Sequence, residues 1–363
     1  MQPETNGRSR VAGRDIEGPR KGTRMSKKLT RRGFVAASLA CVLALAGCGS
    51  ANSQAANQAA TTVADPTEVH VASLKGPTSI GLVSFMDKAA NDDSGLANTY
   101  DFSISAAADE IVPKVISGDV DIALVPANVA SVLYNKTDGA VQALDVNTLG
   151  VLNVVTGDAS VQSFSDLAGR TVYLTGKGAS PEYVMNYLLD KAGIADQVTL
   201  EFKSEAAEVV SALAADPSAV GILPEPYKTA ALAKNASLTS PINLTDVWDQ
   251  YAEDGSRLLT GVTVVRRDFA EQHPEAVREF VEQQQASVEA VSADPATYAQ
   301  SVVDHGIIDA APVAEKAIPG CGLTCLTGDE MKSALSGYLG VLASSDASSV
   351  GGKLPGDDFY YAL

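Results

Sequence analysis

The sequence predicts an α/β fold built as two similar lobes joined by two crossing strands, and three observations carry that reading. Apolar runs of strand length alternate with segments of helical periodicity along the chain. A strand followed by a lysine-glycine turn and a Ser-containing helix start occurs twice, at Val69–Ser79 and at Thr171–Pro181. An apolar strand closed by proline just before a helix also occurs twice, at Val120–Asn128 and Ala219–Pro226, with Pro126 lying 51 residues after Lys75 and Pro224 lying 47 after Lys177.

The chain has 363 residues, 45% of them hydrophobic, enough for two domains with cores of ordinary size. Residues 1–24 are polar and basic without periodicity, and Met25 begins the pattern of a signal peptide, so the first 24 residues read as a misassigned upstream start. Lys27, Lys28, Arg31 and Arg32 precede an apolar run from Gly33 to Ala46, which is too short to span a bilayer but suits a signal-peptide core. It ends Leu45-Ala-Gly-Cys48, which resembles the lipobox of bacterial lipoproteins and implies cleavage before Cys48 and its lipidation. Thr30-Arg-Arg-Gly-Phe34 also resembles a twin-arginine export signal, with general secretion as the alternative. Residues 49–67 are rich in Ser, Ala, Asn, Gln and Thr and are expected to form a flexible tether. Without residues 1–48 the chain keeps 17 basic and 41 acidic groups, a formal net charge of −24. Such a surface disfavours nucleic acid and anionic lipid as partners.

In the first lobe, Val69–Leu74 is expected as a strand, Ile80–Lys88 as a helix and Tyr100–Ser105 as a second strand. A helix from about Asp109 to Gly118, the Val120 strand, a helix from Asn128 to Tyr134 and a strand at Val141–Val146 follow. Leu149–Val155 is a continuous apolar run between the two echoing halves and is assigned as the first crossing. Thr171–Leu174 then forms a strand, and Ser180 and Pro181 suit the N-cap and first position of a helix through Lys191. Gly261–Val265 is assigned as the second crossing. Helices over Pro274–Val291, Pro295–Val303 and Asp329–Leu342 are expected to pack back on the first lobe. The expected lobes are 68–148 with 262–363, and 149–261.

In sheets of this kind ligands sit beyond the carboxyl ends of the strands, so the turns after them supply the candidate site. Lys75 and Lys177 offer ammonium groups to a carboxylate, sulfonate or phosphate, or else are solvated surface lysines. Pro77, Gly178 and Ala179 belong to the same turns. Thr78, Ser79 and Ser180 are hydroxyl donors to a ligand or helix caps, and Asp109 is a cap or a ligand contact. Asn128 carries both a donor and an acceptor at a strand end, and Glu225 is a carboxylate held between two prolines, suited to an amine, amidine or pyrimidine N–H. Tyr134, Tyr183 and Tyr227 flank a ring or serve as packing, and the lone Trp248 signals only burial. The lysines favour an anion, the carboxylates a donor-rich or zwitterionic compound. Cys321 and Cys325 lie in a Gly-Pro-rich loop and are a candidate disulfide in an exported protein, forming a local brace. His70, His273 and His305 are the only histidines and none is near them, so no metal site is expected.

From about Glu68 to Tyr361 the chain resembles the substrate-binding proteins of ATP-driven importers, in the branch associated with nitrate, sulfonates such as taurine, and thiamine precursors. The resemblance rests on Gly118–Asn128, Phe164-Ser-Asp-Leu-Ala-Gly-Arg-Thr-Val172, the Gly176–Ser180 loop, Leu223-Pro-Glu-Pro226 and Val265–Glu275. It implies the type II periplasmic-binding fold, two Rossmann-like lobes that close on one small ligand. It also implies a membrane permease and its ATPase as partners, no cofactor, a monomeric chain and no enzymatic activity. One related branch makes a pyrimidine by consuming its own histidine, but no matching His-rich motif occurs here. Gly176-Lys-Gly lacks the Walker spacing, and no Gly-x-Ser-x-Gly elbow sits in a recognisable frame with His and acidic partners. A sensor that reports ligand to a membrane signalling partner is the alternative function.

Overall fold

The computed structural model describes residues 65–91, 93–252 and 256–363. The expected signal peptide, Cys48 and the tether as far as residue 64 lie outside the described residues. The first half runs β1 (Glu68–Leu74), α1 (Pro77–Ile80), α2 (Val83–Ala89), β2 (Thr99–Ser105), α3 (Ala108–Ser117), β3 (Ile122–Pro126), α4 (Ala127–Lys136) and β4 (Val141–Leu149). The middle runs β5 (Leu152–Thr156), β6 (Thr171–Leu174), α5 (Ser180–Lys191), β7 (Thr199–Phe202), α6 (Ala206–Ala215), β8 (Val220–Pro224), α7 (Tyr227–Lys234), β9 (Thr239–Asn243) and α8 (Leu244–Tyr251). The chain then returns through β10 (Leu259–Arg266), α9 (Arg267–Gln272), α10 (Pro274–Ala293), α11 (Pro295–Asp304), α12 (Ala311–Ala317), β11 (Leu323–Leu326) and α13 (Gly328–Ser345).

Two sheets result, ordered β11-β4-β10-β3-β1-β2 and β7-β6-β8-β5-β9. Each contains a parallel trio, β2-β1-β3 or β7-β6-β8, closed on one side by an antiparallel strand, β10 or β5. The doubled sequence pattern is this doubled topology: β1 corresponds to β6, and the proline-closed β3 corresponds to β8. Parallel strands need crossover helices, and those helices cover the faces of the strands. That burial accounts for the near-continuous apolar runs Ile122–Val125 and Val220–Leu223.

Both crossings differ from the sequence expectation. The run Leu149–Val155 is interrupted at Gly150 and Val151, so β4 belongs to the first sheet and β5 to the second. Gly150 marks a close approach, since a side chain there would meet Thr245 Oγ1 and Leu258. Gly261–Val265 lies wholly inside the first sheet, where β10 pairs with both β3 and β4. The return crossing therefore precedes it. The helix expected over Ile80–Lys88 is split at Gly81-Leu82 into α1 and α2. Helix α5 begins one residue earlier than expected, with Ala179 as its cap and Ser180 and Pro181 in its first turn.

The core of the first lobe includes an aromatic cluster in which Phe85 packs edge-on to Tyr100 and Phe102, at centroid distances of 4.8 and 5.2 Å. Phe280 of α10 completes it at 5.8 Å from Phe85. The helices after β10 do not all stay with this lobe. Tyr338 of α13 packs on Trp248 of α8 at 5.4 Å, and Tyr187 of α5 lies 5.0 Å from the same indole. Trp248 is fully buried and its Nε1 donates to Ser256 O at 3.1 Å. It thus packs α8 against the C-terminal helix.

Cys321 and Cys325 are both unbridged, against the expected brace. Gly322, with φ +58°, turns the chain between them. The Cys321 thiol donates to Ala317 O at 3.3 Å among the residues around Ile318, whereas Cys325 packs toward the Phe85–Phe280 cluster. Burial holds both thiols above their ordinary range, so neither is a reactive thiolate. Trp248→Ala removes the shared indole and is expected to destabilise the fold by about 3–5 kcal/mol in urea unfolding followed by circular dichroism.

Candidate functional site

The carboxyl ends of the parallel strands of both sheets meet at one cavity of about 580 Å³. Leu74 ends β1 and Lys75 follows it, Ala106–Asp109 follow β2, and Pro126 closes β3. Thr175–Pro181 follow β6, Lys203–Ala206 follow β7, and Pro224 closes β8. Strand ends of this kind expose backbone groups and helix starts. The N-terminal turns of α3, α5 and α6 all border the cavity. Two of these starts are already met by carboxylates of their own helices. Glu182 accepts from Gly178 N at 2.5 Å, and Glu208 accepts from Ser204 N at 3.0 Å. The N-cap of α3 is Ala107, which has no side-chain acceptor.

Of the sequence-predicted residues, Lys75, Pro77, Thr78, Asp109, Lys177, Gly178, Ala179 and Ser180 line this cavity. The turn that carries Lys177 depends on Gly176, which has φ +81° and would place any side chain 2.8 Å from Pro181. Gly76 plays the corresponding part after β1, with φ +136°. Thr78 is nearly buried and its hydroxyl donates to Leu74 O at 2.8 Å.

Ser79, Asn128 and Glu225 are not brought to the cavity. Ser79 is buried beneath the turn, bonded to Ser73 Oγ at 2.5 Å and donating to Leu74 O at 2.6 Å. Asn128 is fully buried as a tie between segments: its Nδ2 donates to Ser349 O at 3.1 Å, and its Oδ1 accepts from Ser180 Oγ at 3.1 Å. It therefore fastens the start of α5, in the second lobe, to α4 in the first. Glu225 meets Lys228 Nζ at 2.7 Å and accepts from Thr229 N and Oγ1 at 3.1 and 3.0 Å, so both its oxygens cap α7. Tyr134 donates to Asp358 at 2.6 Å, away from the cavity, and Tyr183 packs against the core.

Several lining residues were missed. Lys136 is the last residue of α4, and Val129, Val132 and Leu133 turn toward the same cavity at helical spacing. That spacing was a legible signal. Lys203, Ser204 and Glu205 follow β7, a four-residue edge strand too short and too polar to read as a strand. Of the three tyrosines weighed as ring-flanking or packing, Tyr227 does line the cavity, and burial, with Glu205 and Asp309 adding negative potential, pushes its phenol up to about 12. It is a neutral hydroxyl there.

The electrostatic contrast is strong. Four of the twelve lysines that follow Cys48 line this cavity, against two of the 41 carboxylates, Asp109 and Glu205. Lys177 extends over the Phe202 ring with its ammonium 6.0 Å from the centroid, and Lys203 over Tyr173 at 4.7 Å. A hydrogen bond to Glu201 holds the Lys203 ammonium above its ordinary range. The rest of the wall is largely apolar, from Val129, Leu133, Leu152, Val184 and Leu259. No group of His, Cys, Asp and Glu suited to a metal ion occurs among the described residues.

A family model described as NMT1/THI5 like matches residues 102–298, more than half of the chain. The chain belongs to the NMT1/THI5-like family. Solved structures agree with the fold of this NMT1/THI5-like chain. It is similar to an ABC transporter protein from Parabacteroides distasonis, with 23% identity and a TM-score of 0.68, over 82% of this chain and 99% of that one. It is also similar to the periplasmic aliphatic sulphonate binding protein SsuA from Escherichia coli, with 13% identity and a TM-score of 0.62, over 77% and 85% of the two chains. The alkanesulfonate-binding protein SsuA from Xanthomonas axonopodis pv. citri, solved bound to MOPS, gives 14% identity and a TM-score of 0.61, over 78% and 94%. No curated protein sequence matches the chain. The family and two-lobed fold implied by the sequence are those found.

Glu225→Ala is expected to lower stability by about 1–3 kcal/mol, because it removes a helix cap and leaves Lys228 without its partner. Thermal unfolding checks this, and an unchanged midpoint would contradict the capping role.

Proposed function

We propose that this protein is the extracytoplasmic substrate-binding component of an ATP-driven importer, anchored through a lipid on Cys48, and that it is a binding protein rather than an enzyme. It captures a small organic anion between its lobes and delivers it to a membrane permease. The observation that carries the ligand class is the cluster of Lys75, Lys136, Lys177 and Lys203 around one cavity in an otherwise strongly acidic body. Those four ammonium groups surround a wall with a substantial apolar part. A compact anion with a hydrocarbon portion satisfies both, whereas a bare inorganic anion leaves the apolar wall unused.

Both lobes contribute to the cavity, which supports capture by closure. A ligand that touches Lys75 and Lys136 on one side and Lys177 and Lys203 on the other binds the closed arrangement better than an open one. It shifts the equilibrium by that difference. The two SsuA proteins are described as sulphonate-binding, which makes sulfonates the first class to test. The lipid anchor and tether would hold the protein near its permease at high effective concentration.

Native mass spectrometry of the mature protein, with the released ligand identified by mass, tests the reading directly. A co-purifying organic anion is expected, and a neutral or cationic compound would overturn the ligand class. Replacing Lys136 or Lys177 by Ala is expected to weaken calorimetric affinity for the recovered ligand roughly tenfold each, with the unfolding midpoint unchanged. Wild-type affinity in both variants would remove the lysines from the site.

A further inference from the structure

Three carboxylates are buried among the described residues, and two of them have cations. Asp121 meets Arg266 Nη2 at 3.0 Å, and Glu225 meets Lys228 Nζ at 2.7 Å. Asp145, in the middle of β4, has none. Its Oδ1 accepts from Thr263 Oγ1 of β10 at 2.9 Å and from Gln284 Nε2 of α10 at 3.0 Å. Its Oδ2 is buried without a partner, and so is Gln284 Oε1. Two planar groups already joined by one hydrogen bond thus each present an unused acceptor. A single proton on Oδ2 serves both, because a carboxylic acid and a primary amide can pair through two hydrogen bonds, N–H to acid C=O and O–H to amide C=O. Leaving both acceptors bare would instead add a repulsion between oxygens to the cost of burying an unpaired charge.

We infer that Asp145 is a neutral carboxylic acid in the folded protein, donating from Oδ2 to Gln284 Oε1, and that removal of this proton is a built-in alkaline weak point beneath the binding cavity. The position gives the device its consequence. Asn147, two residues along β4, donates to Thr263 Oγ1 at 3.1 Å, and a side chain at Gly261 would meet both Asn147 Oδ1 and Thr78 Cγ2 of the cavity wall. Strand β4 then enters the crossing at Gly150. The titratable groups facing Asp145 are all acidic: Cys325 from β11, and beyond it Glu289 from α10, which acts on the same thiol. No neighbouring cation offsets the charge.

Burial raises the Asp145 carboxyl from 3.8 to about 7, opposed only by the two hydrogen bonds. The linkage has a definite sign. A raised acid costs nothing while both states hold the proton. Between the unfolded and folded values the unfolded chain releases a proton that the folded chain keeps, so stability falls as pH rises, and above the folded value the loss is constant.

The test compares the mature wild-type protein with Asp145→Asn by urea unfolding from pH 5 to 8. The Asn side chain keeps the acceptor and supplies an N–H donor in place of the acid O–H. The ratio of wild-type to variant unfolding constants is expected to climb about tenfold per pH unit up to near neutrality and then level. A ratio that stays flat across the range would overturn the inference. Should the variant not fold, the 13C carboxyl resonance of wild-type Asp145 decides: a protonated shift at pH 5.5 that titrates near neutrality supports the assignment, and an ionised shift at pH 5.5 overturns it.

Discussion

Strand β10 returns the chain from the second lobe into the middle of the first sheet, antiparallel to β3 on one side and β4 on the other, and the cavity depends on this insertion. Because β4 also leads out toward the second lobe, outgoing and returning strands are hydrogen-bonded neighbours along most of their length. The two chain crossings are thereby held side by side. The parallel trios of the two sheets then present their carboxyl ends to one shared space. The glycine turns after β1 and β6 bring backbone and lysine into it, and Asn128 ties the start of α5 to α4 across the gap.

The charge distribution makes sense on the same frame. An acidic surface of this magnitude repels anions at long range, so the anion capture proposed for the cavity requires its own local positive potential. Lys75, Lys136 and Lys177 supply it, with Lys203 beside them paired to Glu201 at 2.6 Å, and screening limits their influence to about 8–10 Å at physiological salt. The positions of the Lys177 and Lys203 ammonium groups over the Phe202 and Tyr173 rings restrict where those two charges point. Selection then rests on near contacts and on the apolar wall.

Much of the architecture was legible because its signals are local. The apolar runs at Val69 and Ile122, and their echoes at Thr171 and Val220, carry strand patterning within a few residues, and Gly118, Pro274 and Pro295 punctuate helices as expected. Short edge strands such as β7 and β9 have no such signal. Side-chain roles failed where the partner is distant in sequence. Asn128 looked available at a strand end, but its partners are Ser180 and Ser349. Glu225 looked exposed between prolines, but it is covered beside Gly320 and occupied by Lys228 and Thr229 of the helix that follows it. Ser79 and Thr78 are adjacent and chemically alike, and only the packing of α1 sends one inward and leaves the other at the cavity. The cysteines lie close enough in sequence for a bridge, yet the turn at Gly322 directs them into different apolar clusters.

Selection of the ligand by its negative charge can be read from a single calorimetric comparison. The ligand recovered from the mature protein and its uncharged ester or amide of nearly equal size would be titrated into the emptied protein at two salt concentrations. Only the anion is expected to bind tightly, with an affinity that declines as salt increases. Equal binding of the neutral analogue, indifferent to salt, would contradict it.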